Sequence, residues 1–353
     1  MPAVRGKTGL IMKKKICHIP IFVPHKGCPH DCVFCNQRHI TGQITETTPE
    51  TAKEIIERHL RTLPDDSYKE IAFFGGSFTA IEKEKQEALL KAAGKYVDDG
   101  LVDSLRCSTR PDCIDSETLK MLKHYGMSCI ELGVQSSDGE VLRLSERGHT
   151  FDDVQRASEL IHNAGIELGV QIMPGLPGDT FEKSVKTAAD VIALGPQCAR
   201  IYPTLIVKDT ALWKMYQRGE YKPLDVDGAV EILGEVIPMF VRNRIDVIRV
   251  GLQTTDEINS EMVIGPYHPA IKELATGRII RKSAEKMIAA NPDTDAVLYC
   301  CPSLVSAAVG HKKCNCEYFF EKYGVRLRVA ADKSLNERTI RIFGTQTDIY
   351  SGN

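Results

Sequence analysis

The chain alternates short, almost continuously apolar stretches with longer segments whose apolar positions recur every three to four residues. Stretches at 16–23, 70–74, 104–108, 129–134, 166–172 and 199–206 read as buried strands. Segments near 50–63, 81–98, 116–125, 151–164, 180–194 and 227–243 read as amphipathic helices. Apolar strands alternating with helices predict a parallel sheet with helices packed on it. Six such units fit an α/β fold built as an open, partial (β/α)6 TIM-like barrel. In barrels of this kind the chemistry lies on loops at the C-terminal ends of the strands. Near Gly265-Pro266 the rhythm changes. Helix at 270–289, strand at 295–300, helices at 303–309 and 315–323, and strands at 325–330 and 339–343 predict a small α/β appendage. The expected layout is an N-terminal arm over 1–14, a barrel over 15–255 and a small C-terminal domain over 256–353.

Composition narrows the setting. The chain has 353 residues, 42% of them hydrophobic and 26% charged, with a net charge of -2. No apolar run reaches about eighteen residues, so no transmembrane helix is expected. The N-terminus lacks the apolar core of a signal peptide, which predicts a cytoplasmic protein. Its 12 cysteines are then expected as reduced thiols or metal ligands rather than disulfides. Charge is unevenly spread. Arg5, Lys7, Lys13, Lys14 and Lys15 have no acid among them, and the C-terminal domain is mildly basic. Basic ends suit a polyanionic partner such as RNA, while an ordinary solvated face explains them equally simply. Met12, followed by three lysines, also reads as a start site, with the first eleven residues as a leader.

Candidate chemistry begins on the loop after the first strand, "PHKGCPHDCVFCNQRHITG", which holds Cys28, Cys32 and Cys35. A zinc site wants four ligands and a disulfide framework wants pairs. Three thiolates at C-x3-C-x2-C can hold three irons of a [4Fe-4S] cluster and leave the fourth iron open to a non-protein ligand. Zinc completed by His30 or His39 is the competing reading. The position after a strand favours the cluster, and Phe34 can pack beside a bound adenine. "FFGGSFT" ends the second strand with Gly75, Gly76 and Ser77, where the backbone can approach a ligand closely; a plain turn is the alternative. "STRPD" follows the third strand, "ELGVQS" and "RGHT" the fourth, "VQIMPGLPGDT" the fifth, and "RIYPTLIVKDTALWKMYQRGEYKPL" covers the sixth.

The cysteine spacing, with an aromatic before the last cysteine, resembles the radical S-adenosylmethionine superfamily, and "FFGGSFT" is similar to its glycine motif. The resemblance implies that S-adenosyl-L-methionine chelates the open iron and that an electron from the cluster cleaves its sulfonium to a 5′-deoxyadenosyl radical. It also implies an electron donor such as flavodoxin or ferredoxin. "STRPD", "ELGVQS", "RGHT", "MPGLPG" and "IYPTLIVKDTALW…GEY" resemble the radical domain of the elongator catalytic subunit over residues 15 to 245. That resemblance implies tRNA or other RNA as substrate. The resemblance to the wider superfamily places Gln135, Arg147 and Gln171 where the cosubstrate's ribose and carboxylate are held, with Arg147 suited to a bidentate clamp. It leaves Arg110 and Tyr202 at the barrel mouth to orient substrate. Buried, satisfied amides are the plain alternative for the two glutamines. His149 reads as a structural histidine or a proton carrier.

Departures from the family limit the transfer. The acetyltransferase-like domain of elongator enzymes has no counterpart after residue 256, and "IDVIRVGLQTTDEI" stands in place of the usual segment after the sixth helix. Carboxymethylation from acetyl-CoA therefore does not follow. Two other function classes stay open: a tetrapyrrole enzyme or haem-handling protein, and a non-catalytic RNA-binding or redox-sensing protein. Cys300, Cys301, Cys314 and Cys316 form a second cysteine group, either a further metal site or buried small residues. Lys312 and Lys313 beside them can meet phosphates.

Overall fold

The computed structural model describes residues 15–23, 28, 30–35, 47–252, 263–291 and 294–351. The arm over 1–14 and His39 lie outside the described residues. Seven strands form the parallel sheet of a partial TIM-like barrel: β1 (Ile16–Val23), β2 (Tyr68–Gly75), β3 (Ser104–Thr109), β4 (Met127–Gln135), β5 (Glu167–Ile172), β6 (Cys198–Ile201) and, past the short β7 (Ile206–Val207), β8 (Asp246–Val250). β1 lies in register beside β2, with Ile16 opposite Tyr68 and Val23 opposite Gly75. The chain divides into two compact units. One holds the residues up to Val134 with Glu146–Gln171, and the other holds Gln135–Ser145 with everything from Ile172 onward.

Local chemistry sets the helix starts. Thr48, Asp115, Asp138, Thr180, Thr210 and Asp225 each cap a helix by accepting from an amide of its first turn. Thr150 and Asp153 form a reciprocal capping box at the head of Phe151–Asn163. That cap fixes where the loop bearing Arg147 ends.

In the first unit the strands present two unlike faces. Ile19, Ile21, Ile71, Phe73, Leu105, Cys107, Ile130 and Leu132 are fully buried on one side. The alternate positions carry a buried ionic ladder. Glu70 on β2 accepts from Arg106 Nε at 2.7 Å and from Ser104 Oγ at 3.1 Å. His18 Nε2 on β1 lies 3.1 Å from Glu70, and Arg106 Nη1 donates to Glu131 on β4 at 2.8 Å. Burial by itself raises the Glu70 pKa. The His18 hydrogen bond and the Arg106 charge outweigh it and hold the carboxyl at about 2.

Two regions of the barrel sheet differ from the sequence expectation. The sixth strand ends at Ile201, because Pro203 has no amide to continue a ladder. The amides of Tyr202 and Thr204 still reach the carbonyls of Ile172 and Pro174, at 2.9 and 2.8 Å. Ile206–Val207 pairs antiparallel with β9 (Val263–Ile264) instead. The string from 245 onward supplies a seventh strand, β8, parallel to β6.

In the second unit, helices Val226–Arg242 and Ile271–Ala289 are bridged by Glu231–Arg278 at 2.8 Å and Glu235–Lys282 at 2.5 Å. The tail builds a four-stranded sheet from β10 (Ala296–Cys300), β11 (Leu327–Ala331), β12 (Thr339–Ile342) and β13 (Thr345–Asp348), ordered β11-β10-β12-β13. Leu298, Cys300, Phe319 and Ile340 are fully buried there.

Candidate functional site

The cysteine loop follows β1. Its described part folds as a turn in which the Cys35 amide donates to the Cys32 carbonyl at 2.9 Å. Cys32 is buried, while Cys28 and Cys35 are partly exposed. Among the described residues no three His, Cys, Asp or Glu side chains converge on a metal-sized point, so the three thiols are not gathered together. Phe34 is half-buried on the same turn.

Around this loop the ends of the next strands lock together. Gly75 has φ +102°, and a Cβ there would lie 2.7 Å from the Val23 carbonyl oxygen. Only glycine lets β2 end so close to β1. The same carbonyl accepts from the Gly76 amide at 2.8 Å. Ser77 Oγ accepts from the Arg110 amide at 2.9 Å and lies 2.8 Å from Thr109 Oγ1. These three glycine-motif residues thus tie β1, β2 and β3 at their C-terminal ends.

Arg110 is among the largest fully buried side chains. Its Nε and Nη2 fork onto Asp112 at 2.9 and 3.0 Å, and Nη2 also donates to the Arg147 carbonyl at 2.6 Å. Its Nη1 stands 4.0 Å from Cys32 Sγ. Arg147, also buried, donates from Nη2 to the Gly133 carbonyl at 2.7 Å and from Nη1 to Cys32 Sγ at 3.5 Å. Its buried Nε has no partner among the described residues. Gly148 follows with φ +78°, and a Cβ there would strike the His30 ring at 2.4 Å, so the "RGHT" loop packs directly under the cysteine loop. His149 places Nε2 3.2 Å from the Val134 carbonyl, and Nδ1 has no partner among the described residues. Burial, then the charges of Arg147 and Arg110, push its pKa down to about 3, so the ring is neutral near pH 7. Cys113 lies in the same neighbourhood, its thiol pushed up to about 11 by burial and then by Asp112.

Of the expected site residues, the structure therefore joins Cys32, Ser77, Arg110 and Arg147 in one bonded group, with Gly75 and Gly76 tied to β1 beside it. Gln171 is partly exposed at the end of the same unit. Gln135 and Tyr202 belong to the second unit. Gln135 is buried with φ +68°, an uncommon backbone for a non-glycine residue, and its carbonyl accepts from the Met173 amide at 2.9 Å. Tyr202 Oη accepts from Arg200 Nη1 at 3.4 Å. Asp112, Thr109 and the Gly133 carbonyl were not foreseen. For Asp112 the signal was present: Arg-Pro-Asp places a carboxylate two residues past the guanidinium it receives.

The donor set suits an iron–sulfur cluster. It offers three cysteines on one loop, two buried cations against the middle one, and a buried guanidinium nitrogen still without a partner among the described residues.

The half-barrel fold is the one that the comparisons also find. The radical SAM superfamily model matches residues 22–191 and the Radical_SAM C-terminal domain model matches residues 196–282. The chain belongs to the radical SAM superfamily and is an enzyme of that class. An uncharacterized protein of Methanocaldococcus jannaschii is 30% identical over 232 residues, 63% of this chain and 71% of that protein. The tRNA uridine(34) acetyltransferase of Methanocaldococcus infernus is 28% identical over 304 residues, 73% of this chain and 54% of the relative. Human Elongator complex protein 3 is 24% identical over 324 residues, 78% of this chain and 57% of the relative. The chain thus spans about half the length of these last two relatives. The solved archaeal Methanocaldococcus infernus Elp3 shares the fold, with a TM-score of 0.58 at 21% identity over 78% of this chain and 64% of that one. No helix among the described residues is long and apolar enough to cross a membrane.

Proposed function

We propose that this chain is an elongator-like radical SAM enzyme that carries a [4Fe-4S] cluster on Cys28, Cys32 and Cys35 and modifies tRNA. The observation that carries the reading is Cys32, a buried thiol with two buried guanidiniums directed at its sulfur. Buried cations beside a sulfur offset the negative charge of a cluster that it ligates. The bound cluster and S-adenosyl-L-methionine supply a 5′-deoxyadenosyl radical.

This chain's own residues hold and screen that chemistry. The turn at Cys32–Cys35 presents the sulfurs, and Phe34 covers the adenine. Gly75, Gly76 and Ser77 bring the backbone close to the methionine end. Gln135, Arg147 and Gln171 hold the polar groups of the cosubstrate, and Tyr202 orients the substrate. The electron comes from a small donor protein of the flavodoxin or ferredoxin kind, and the setting is cytoplasmic. Support for tRNA comes from relatives named tRNA uridine(34) acetyltransferase and from the basic segments at 1–15 and 312–313. The acetyl transfer named for those relatives is not carried over, since the chain spans about half their length.

The test is mass spectrometry of RNA nucleosides from cells with and without the protein. Loss of one tRNA nucleoside on deletion, restored by the wild type and not by Cys32→Ala, is the expected result. An unchanged nucleoside profile removes the tRNA assignment.

A further inference from the structure

We propose that Arg110 and Arg147 are positioning residues that raise the reduction potential of the cluster by acting on the sulfur of Cys32. The inference rests on the reading that Cys32 ligates the cluster. It gives Arg147 a task beside holding the cosubstrate, and Arg110 a task different from substrate orientation.

The geometry favours this task for Arg110 in particular. Its Nε and Nη2 are committed to the Asp112 carboxylate and the Arg147 carbonyl. The remaining nitrogen, Nη1, is the one 4.0 Å from Cys32 Sγ. The side chain is fully buried, so it cannot swing out to meet a macromolecular substrate. Arg147 is held differently but to the same effect. Its Nη2 is anchored on the Gly133 carbonyl of β4, and Nη1 reaches the same sulfur at 3.5 Å. Arg110 Nη2 also holds the backbone carbonyl of Arg147, which ties the first arginine to the backbone of the second.

Two cations fixed against one buried sulfur have a definite consequence. Hydrogen bonds to a ligating sulfur draw charge from it, and this is one of the levers that set an iron–sulfur potential. Reduction adds one negative charge to the cluster, and buried positive charges nearby favour that state. The electron arrives from an external reductant, the cluster gains one unit of negative charge, and no bond to Cys32 breaks. The donor then fills the cluster more completely, at the expense of driving force for the onward transfer.

The test uses the full chain, reconstituted with iron and sulfide without oxygen and without cosubstrate. The reduced fraction is read by electron paramagnetic resonance against dithionite-poised mediators, alongside iron content and thermal melting. For Arg147→Gln the reduced-to-oxidised ratio at fixed poise is expected to fall about tenfold, a shift of about 59 mV for a one-electron couple. For Arg110→Gln, with its longer contact, the fall is expected to be about threefold. Should Arg147→Gln fail to load iron, Arg147→Lys keeps the charge, loses the directed contact and is expected to fall between wild type and Gln. Unchanged potentials in iron-loaded Arg147 and Arg110 variants overturn the inference. So does a loss of S-adenosylmethionine affinity with the cosubstrate-free potential intact, which makes Arg147 a carboxylate clamp instead. A wild-type protein that gathers no cluster overturns the reading of the loop itself, and this inference with it.

Discussion

Cys32 and Cys300 are both buried thiols, and their surroundings are opposites. Cys32 has guanidinium nitrogens at 3.5 and 4.0 Å. Cys300 sits within β10, fully buried, with its thiol pushed up to about 11 by burial and then by the neighbouring Cys301. Its tail companions behave alike. Cys316 leans its sulfur toward the Val309 carbonyl at 3.9 Å, and Cys301 lies 3.2 Å from Ser303 Oγ. Among the described residues neither group is gathered into a ready metal site. What separates them is charge: Cys32 has two buried guanidiniums against its sulfur, whereas Cys300 and Cys301 have each other, a hydroxyl and apolar walls, and Cys316 feels only the exposed Lys313. Burial makes a cysteine inert unless something positive is buried with it.

The largest expected effect tests that contrast directly. Cys32→Ala is expected to reduce reconstituted iron and sulfide to background and to abolish cleavage of S-adenosylmethionine. Cys301→Ala is expected to keep iron content and cleavage at the wild-type level. Iron analysis and 5′-deoxyadenosine release measure both. A cleavage-competent Cys32→Ala protein breaks the comparison, and loss of iron in the Cys301 variant makes the tail a metal site after all.

A second, smaller effect concerns acid. Glu70 keeps its charge in the fold down to about pH 2, whereas an unfolded glutamate takes its proton near 4.3. Its contribution is complete above that value and fades as pH falls toward 2, roughly 3 kcal/mol in all. His149 adds to the trend. Unfolded histidine protonates near 6.5 and the folded ring only near 3, so the fold also loses stability as pH falls from 6.5 toward 3. Both groups lie in the first unit. Amides of β1 to β4 are therefore expected to lose hydrogen-exchange protection near pH 4 before those of β10 to β13, and Glu70→Gln is expected to flatten the dependence below pH 4.5. Simultaneous loss in both regions would show that these two groups do not set the acid limit.

How much of this could be read from the chain follows the range of the forces involved. β1 is legible to the residue because a nearly unbroken apolar run of eight residues needs no distant partner to be recognised. The sixth strand was read too long because apolar Leu205 and Ile206 look continuous with it, while Pro203 and an antiparallel partner at Val263–Ile264 decide otherwise. The thiols, glycines and Arg147 announce themselves in short motifs. The role of Arg110 does not, because its partners at Cys32 and Arg147 are 78 and 37 residues away and meet it only through the fold. Gln135 was legible as a polar strand end, but its left-handed backbone was not. The tail cysteines, close in sequence, suggested a metal site that neighbouring backbone and core contacts do not require.

The smallest expected effect lies on the tail's charged turn. Lys312 and Lys313 are exposed, both with positive φ, at +51° and +64°, just ahead of helix Cys314–Tyr323. Neither is engaged in an ion pair among the described residues, so their charge is free to meet phosphate. Each phosphate contact releases counterions, and affinity falls with salt at a slope of about -0.9 per contact on a duplex. Lys312→Ala with Lys313→Ala is therefore expected to weaken tRNA binding severalfold and to reduce the salt slope by about 2, leaving iron content and cleavage of S-adenosylmethionine unchanged. Fluorescence anisotropy across a salt series measures both quantities. If affinity drops with no change in slope, the lysines act through the fold of the turn rather than through phosphates. If neither changes, RNA is held elsewhere, and the tail differs from the front loop in having no part in either half of the reaction.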